Sequence, residues 1–139
     1  MAAEPLLIDS GGFYALVSPD SESHRLAVEI MQAAAQERRR AATTDYIIDE
    51  TATLLRARGL TKLLAEFFRL TEESRALTIE WTSPDRFAAA RKFMLKHLDQ
   101  EFSFTDCVSF VVMKELCLTE ALATDNHFRI AGFSPSLAD

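Results

Sequence analysis

The chain has 139 residues and a formal net charge of −6, and 48% of its residues are hydrophobic. That is enough chain to bury one substantial core, and too much apolar content for global disorder. No apolar run approaches the roughly 20 residues of a transmembrane helix, and a net acidic chain is on its face a poor binder of nucleic acid.

Met1 to Pro5 carry no basic residue, and the apolar stretch that follows is too short for a secretory signal, so no leader is expected. Leu6 to Ile8 form a short apolar run that stops at Asp9-Ser10-Gly11-Gly12, the pattern of a buried strand followed by a turn. From Ser23 to about Arg39, Leu26, Ile30, Ala33 and Ala34 share one face opposite charged residues, which predicts an amphipathic helix. A second strand is expected at Ala41–Thr44, then a helix capped by Thr44 or Asp45 and stopped by Gly59. Thr61 opens the next helix, whose Leu63, Leu64, Phe67, Phe68 and Leu70 exceed what one short helix needs to cover a sheet.

Leu77–Trp81 alternates and is rich in β-formers, predicting a strand, and Ser83-Pro84-Asp85 starts a helix with proline in its first turn. A further helix runs from Ser103 or Thr105 to about Leu116, and a last strand from Ala121 to Thr124 ends at Asp125-Asn126. Strands alternating with helices imply crossover connections. The predicted fold is α/β, a three-layer α/β/α sandwich with a mostly parallel central sheet, formed by residues 1–139 as a single domain. Cys107 and Cys117 lie ten apart in one predicted helix, hence about 15 Å apart along its axis and beyond disulfide reach. A reducing, cytoplasmic setting is expected.

Ligands of open α/β sheets bind outside the carboxyl ends of the strands. Asp9 ends the first strand and Asp125 the last; Glu50 lies in the second turn of the helix after strand two, and Asp106 in the first turn of the helix before the last strand. Each has an ordinary structural alternative: turn residues for Asp9 and Asp125, a solvated helix face for Glu50, and a capping box with Ser103 for Asp106. Together they converge on one end of the sheet. Two carboxylates about 4 Å apart repel by roughly 4 kcal/mol at an effective dielectric near 20, against a domain stability of about 5–15 kcal/mol. Four make sense when cations fill the pocket, and oxygen ligands without histidine or thiolate favour Mg²⁺ or Mn²⁺. Two such ions would activate water and stabilise the leaving oxygen of a phosphodiester.

At these residues the sequence resembles the PIN-domain family, and within it the VapC-type toxins of toxin–antitoxin pairs. The segments are LIDSGGFYAL (Leu7–Leu16), TTDYIIDETATLLR (Thr43–Arg56), FSFTDCVSFVVM (Phe102–Met113) and ATDNHF (Ala123–Phe128). The family's acidic quartet falls on Asp9, Glu50, Asp106 and Asp125, and its small hydroxyl residue on Ser10. Ala123 stands where many relatives carry threonine, with Thr124 adjacent. The resemblance implies a Mg²⁺- or Mn²⁺-dependent endoribonuclease acting on RNA, typically a homodimer, held inactive by a cognate antitoxin.

Thr105 is a candidate support to the site through a hydroxyl, with capping as its alternative. His127, beside Phe128, reads more simply as structural or solvated than as part of the site. Arg38-Arg39-Arg40 suits RNA phosphates, an acidic partner or a solvated helix end equally. Phe67, Phe68, Phe102, Phe104 and Phe110 are expected in the core or a dimer interface.

Other classes fit less well. A phospho-acceptor receiver domain pairs acids after strand one and carries a late lysine; here Ser10-Gly11 follows Asp9, and no lysine follows Lys114. An aspartate-nucleophile phosphatase needs a second Asp where Gly11 stands. The alternative from outside enzymology is a PIN-fold interaction or RNA-binding module without catalysis, which has no reason to retain four mutually repelling acids.

Overall fold

A computed structural model describes residues 3–139; Met1 and Ala2, the start of the stretch read above as lacking a leader, lie outside it. In chain order the elements are β1 (Leu6–Ile8), α1 (Ser10–Val17), α2 (His24–Gln36), β2 (Ala41–Thr44), α3 (Asp45–Ala57), α4 (Thr61–Glu73), β3 (Leu77–Glu80), α5 (Pro84–Lys96), α6 (Phe104–Glu115), β4 (Glu120–Leu122), α7 (His127–Ile130) and β5 (Ser134–Pro135). The five strands form one parallel sheet in the order β3-β2-β1-β4-β5. Right-handed crossovers carry the chain outward through β2 and β3, then back across β1 to β4 and β5. The helices of the first two crossovers thereby cover one face and those of the last two the other. This is the expected three-layer α/β/α sandwich.

The central strands lack polar alternation because they are covered on both faces: every residue of β1 and β2 is buried. Phe13 of α1 meets Phe67 of α4 edge-on at 5.0 Å, and Phe110 of α6 meets Phe102 and Phe128 at 5.1 and 5.2 Å. Phe67, Phe102 and Phe110 are thus core, as expected, whereas Phe68 is exposed and Phe104 half-buried. Among the described residues, no helix is long and apolar enough to cross a membrane. Cys107 is buried, Cys117 exposed, and both are free.

Boundaries depart from the expected ones where the backbone closes locally. The helix expected to reach Arg39 ends at Gln36, because Arg38 takes a φ of +55° and the Arg39 N–H donates to the Ala34 carbonyl at 2.8 Å. Gly59 ends α3 as anticipated, with a φ of +69° and the Leu60 N–H closing on the Leu55 carbonyl at 3.0 Å. Neither α7 nor β5 was anticipated, since four and two residues are too few to show a period.

The larger correction concerns residues 9–12, which do not form a turn. Ser10, Gly11 and Gly12 are the first three residues of α1. Their glycines serve close approach, not chain reversal. A Cβ on Gly12 would stand 2.1 Å from the Leu122 carbonyl oxygen, and one on Gly11 would stand 2.4 Å from Thr124 Oγ1. The first turn of α1 is therefore pressed onto the end of β4, and the Asp9 N–H donates to that same Leu122 carbonyl at 3.1 Å.

Gly→Ala in a helix interior ordinarily stabilises by roughly 0.5–1 kcal/mol. For Gly12→Ala the sign is expected to reverse, because a backbone carbonyl must move: a loss at the upper end of about 1–3 kcal/mol, measured by urea denaturation. A variant as stable as the wild type is incompatible with the contact.

Candidate active site

β1 lies between β2, reached by the first crossover, and β4, reached by the reversal. That makes the carboxyl ends of β1 and β4 a topological switch point, where open α/β sheets bind ligands. A cleft of about 440 Å³ opens there, and Asp9, Glu50, Asp106 and Asp125 all line it, together with Ser10. Five of the six site residues expected from the sequence, spread from Asp9 to Asp125, share one space.

Asp9 forms the floor. It occupies the N-cap position of α1 but makes no capping bond through its side chain. It is 4% exposed, and its Oδ1 has no hydrogen-bond partner among the described residues. Burial pushes its carboxyl up to about 7; the Ser10 backbone N–H opposes the shift, and the charges of Asp106, Glu50 and Asp125 add to it in that order. All three neighbours are thus near enough to repel it.

The other acids are held by their own elements. Ser103 and Asp106 close a full capping box: the Asp106 N–H donates to Ser103 Oγ at 3.0 Å, and the Ser103 N–H to Asp106 Oδ2 at 3.1 Å. The structural and the functional reading of Asp106 therefore coexist, since the cap aims this buried carboxylate at the cleft. Ser10 Oγ donates to Glu50 Oε1 at 2.7 Å, tying α1 to α3. Asp125 Oδ1 accepts the His127 N–H at 2.7 Å, which starts α7.

The structure departs from the sequence expectations at Thr105 and at His127, and it places the basic run. Thr105 does not line the cleft; Ser103 is the cap, and the Thr105 carbonyl accepts from Ser109 Oγ at 3.0 Å. The basic run does not face the acids. Arg39 donates to the Glu4 carbonyl and to Glu120 Oε1, both at 2.7 Å, and Arg40 to the Arg75 carbonyl at 3.1 Å. Both precede β2, at the opposite end of a parallel sheet. His127, whose place beside Phe128 suggests a structural or solvated residue, has its Nδ1 3.0 Å from Asp106 Oδ2 and 3.2 Å from Asp125 Oδ2. The two-residue spacing after Asp125 was its one signal.

Arg58 and Tyr14 also line the cleft, the guanidinium lying 5.0 Å from the ring centroid. Neither was singled out by sequence, although Glu50, Leu54 and Arg58 stand at i, i+4 and i+8 of α3 and its cap. Glu101 adds a further carboxylate to the lining. A larger groove of about 640 Å³ between α1, α2 and α4 is walled mainly by apolar side chains and lies away from the acids.

The donor set fits a divalent cation. Asp106, Asp125 and His127 each offer a ligand atom, all within 4.8 Å of one another. The orphaned Asp9 Oδ1 supplies a buried acceptor in the same cleft, and buried acceptors are normally satisfied.

A family model described as PIN domain matches residues 6–134. The chain is 32% identical over 93 residues to the 23S rRNA-specific endonuclease VapC20 of Mycobacterium tuberculosis, spanning 66% of this chain and 69% of that protein. It is 33% identical over 128 residues to a VapC ribonuclease of Archaeoglobus fulgidus, spanning 89% and 79% respectively. The crystal structure of Mycobacterium tuberculosis VapC20, described as a Sarcin-Ricin loop cleaving toxin, superimposes with a TM-score of 0.83 at 24% identity over 92% of this chain and 95% of that one, which establishes the shared fold.

The raised carboxyl of Asp9 sets a pH dependence for the metal-free protein. The unfolded chain ionises Asp9 near 3.8 and the folded chain near 7, so the folded state binds more protons between these values. The Asp9 contribution to stability is then fullest below about pH 4 and falls as pH rises to about 7, by up to about 4 kcal/mol for a shift of this size. In Asp9→Asn that slope is expected to flatten, with a higher Tm than wild type at pH 8 and convergence near pH 4. Parallel pH profiles of the two proteins in EDTA would refute the assignment.

Proposed function

The chain belongs to the PIN-domain family, and we propose that it is a metal-dependent endoribonuclease that hydrolyses RNA phosphodiester bonds as the toxin of a toxin–antitoxin pair. The observation that carries this reading is a buried carboxylate oxygen without a partner among the described residues, Asp9 Oδ1, in a cleft shared with four more acids. The names of the relatives, an rRNA-specific endonuclease and a ribonuclease, support RNA as the substrate class.

Asp9, Asp106 and Asp125 would hold the ion, with Glu50 beside them, and Mg²⁺ or Mn²⁺ is the proposed cofactor. When bound, it supplies Lewis-acid stabilisation of phosphate charge and activation of water. The chain's own part is orientation. Ser10 fixes the Glu50 carboxylate through its 2.7 Å bond, as a proton acceptor must be fixed to work. The capping box fixes Asp106. Arg58, held over Tyr14 in the cleft lining, supplies positive charge for a backbone phosphate in an otherwise acidic space.

Asp106→Asn separates capping from chemistry, because the amide oxygen still accepts the Ser103 N–H. The variant is expected to fold and to cut RNA about 100-fold or more slowly, whereas Asp85→Asn, on the exposed first turn of α5, keeps wild-type rates. Cleavage-end sequencing of total RNA after controlled expression reads both. Near-wild-type cutting by Asp106→Asn would overturn the assignment.

Two partners complete the proposal. One is a cognate antitoxin, whose arginine would pair with the cleft carboxylates in place of the ion. The other is a second copy of the chain. Phe68 and Leu70 of α4 are exposed, as the excess apolar content of that helix anticipated, and a symmetric interface buries such a patch. Light scattering at tens of micromolar is expected to give the mass of a dimer; a monomer throughout that range counts against it.

A further inference from the structure

The chain has three histidines, and two are spent on the backbone. His24 Nδ1 lies 2.7 Å from the Ala15 carbonyl, and His97 Nδ1 lies 2.7 Å from the Phe93 carbonyl. His127 turns its Nδ1 to side chains instead, 3.0 Å from Asp106 Oδ2 and 3.2 Å from Asp125 Oδ2. It is fixed there from two directions. Its backbone N–H donates to Asp125 Oδ1 at 2.7 Å, and its ring meets Phe102 edge-on at 5.6 Å.

We infer that His127 is itself a ligand to the ion, through Nδ1, and that it sets the site's preference for Mn²⁺ over Mg²⁺. This rests on the metal reading proposed above and deepens it. Octahedral ligands with bonds of about 2.1 Å stand about 3 Å from their neighbours. Nδ1 has that spacing to each of the two carboxylate oxygens, and Asp106, Asp125 and His127 each offer a ligand atom within 4.8 Å of the other two, close enough for one ion to meet all three. Asp9 Oδ1, buried and unpartnered in the same cleft, is the independent sign that something beyond the protein's own donors belongs there. With the ion bound, Nδ1 presents its lone pair and the ring carries its proton on Nε2.

The consequence is selectivity. Mg²⁺ keeps water and oxygen ligands, whereas an imidazole nitrogen suits the transition metals and raises Mn²⁺ affinity relative to Mg²⁺. The sequence predicts a donor set that is all oxygen; the fold adds a nitrogen.

The full chain, stripped with EDTA and loaded with Mn²⁺, tests this by pulsed electron paramagnetic resonance. Directly coordinated ¹⁴N is expected in the wild type, converted to ¹⁵N coupling when histidine is labelled, and absent in H127A and H127N. H127N keeps a hydrogen-bond donor near the two carboxylates, so a merely positioning role would leave its affinities unmoved. In both variants Mn²⁺ affinity is expected to fall about tenfold or more while Mg²⁺ affinity, from competition, stays within about twofold. Mn²⁺ bound without nitrogen coupling, or equal losses for the two ions, overturns the inference and leaves the carboxylate site standing. No Mn²⁺ bound at all, or binding indifferent to Asp9→Asn and Asp106→Asn, overturns the metal reading beneath it as well.

Discussion

Gly12 has no side chain, and the Leu122 carbonyl oxygen occupies the space where its Cβ would be. Gly11 likewise makes room for the Thr124 hydroxyl. These two contacts bring the start of α1 against the end of β4 with no side-chain layer between them. Asp9, one residue before α1, then lies beside the loop that carries Asp125. A larger residue at Gly12 would push the start of α1 away from β4, because the obstacle there is backbone; at Gly11 it is the end of the Thr124 side chain, which can turn aside. The spacing of the acids is thus a packing constraint before it is an electrostatic one.

Holding like charges together requires that each be fixed by something other than its neighbours. Here the fixings are ordinary secondary-structure devices. A capping box seats Asp106, a hydroxyl from the first turn of α1 seats Glu50, and the amide that opens α7 seats Asp125. Every one of these bonds satisfies a local need of the backbone or of a side chain, so the cluster is maintained at little added cost. Asp9 is the exception. It has no such partner for Oδ1, and burial among charges holds its carboxyl near neutral pH. Strain left at a functional site is the expected signature of a group awaiting a ligand.

The charge distribution follows the same division. Arg39 and Arg40 are consumed at the amino end of the sheet, bracing β2 against the N-terminal segment, Glu120 and the chain before β3. Arg86 bridges Glu80 and Glu115 at 3.0 and 2.8 Å, which ties β3 to the end of α6. These cations stabilise the frame and do not approach the cleft, where Arg58 is the guanidinium present. A chain with net charge −6 can therefore serve an anionic polymer when the sign at the cleft is reversed by a bound ion.

Period and punctuation in the sequence were enough to determine the α/β alternation, which the crossover rule turns into a parallel sheet; Asp9 at a strand end, Glu50 in a second helical turn and Asp106 in a first one were legible because such features depend on neighbours within a few residues. The capping box at Ser103 and the stop at Gly59 were legible for the same reason. Tertiary structure decided what depends on distance between segments. It turned Gly11-Gly12 from a turn into the tight start of a helix, since only the position of β4 shows what a Cβ would strike. It removed Thr105 from the site, put Arg39 and Arg40 at the far end of the sheet and drew in His127 and Arg58, since the direction of a side chain follows from the packing of its element and not from its spacing in the chain.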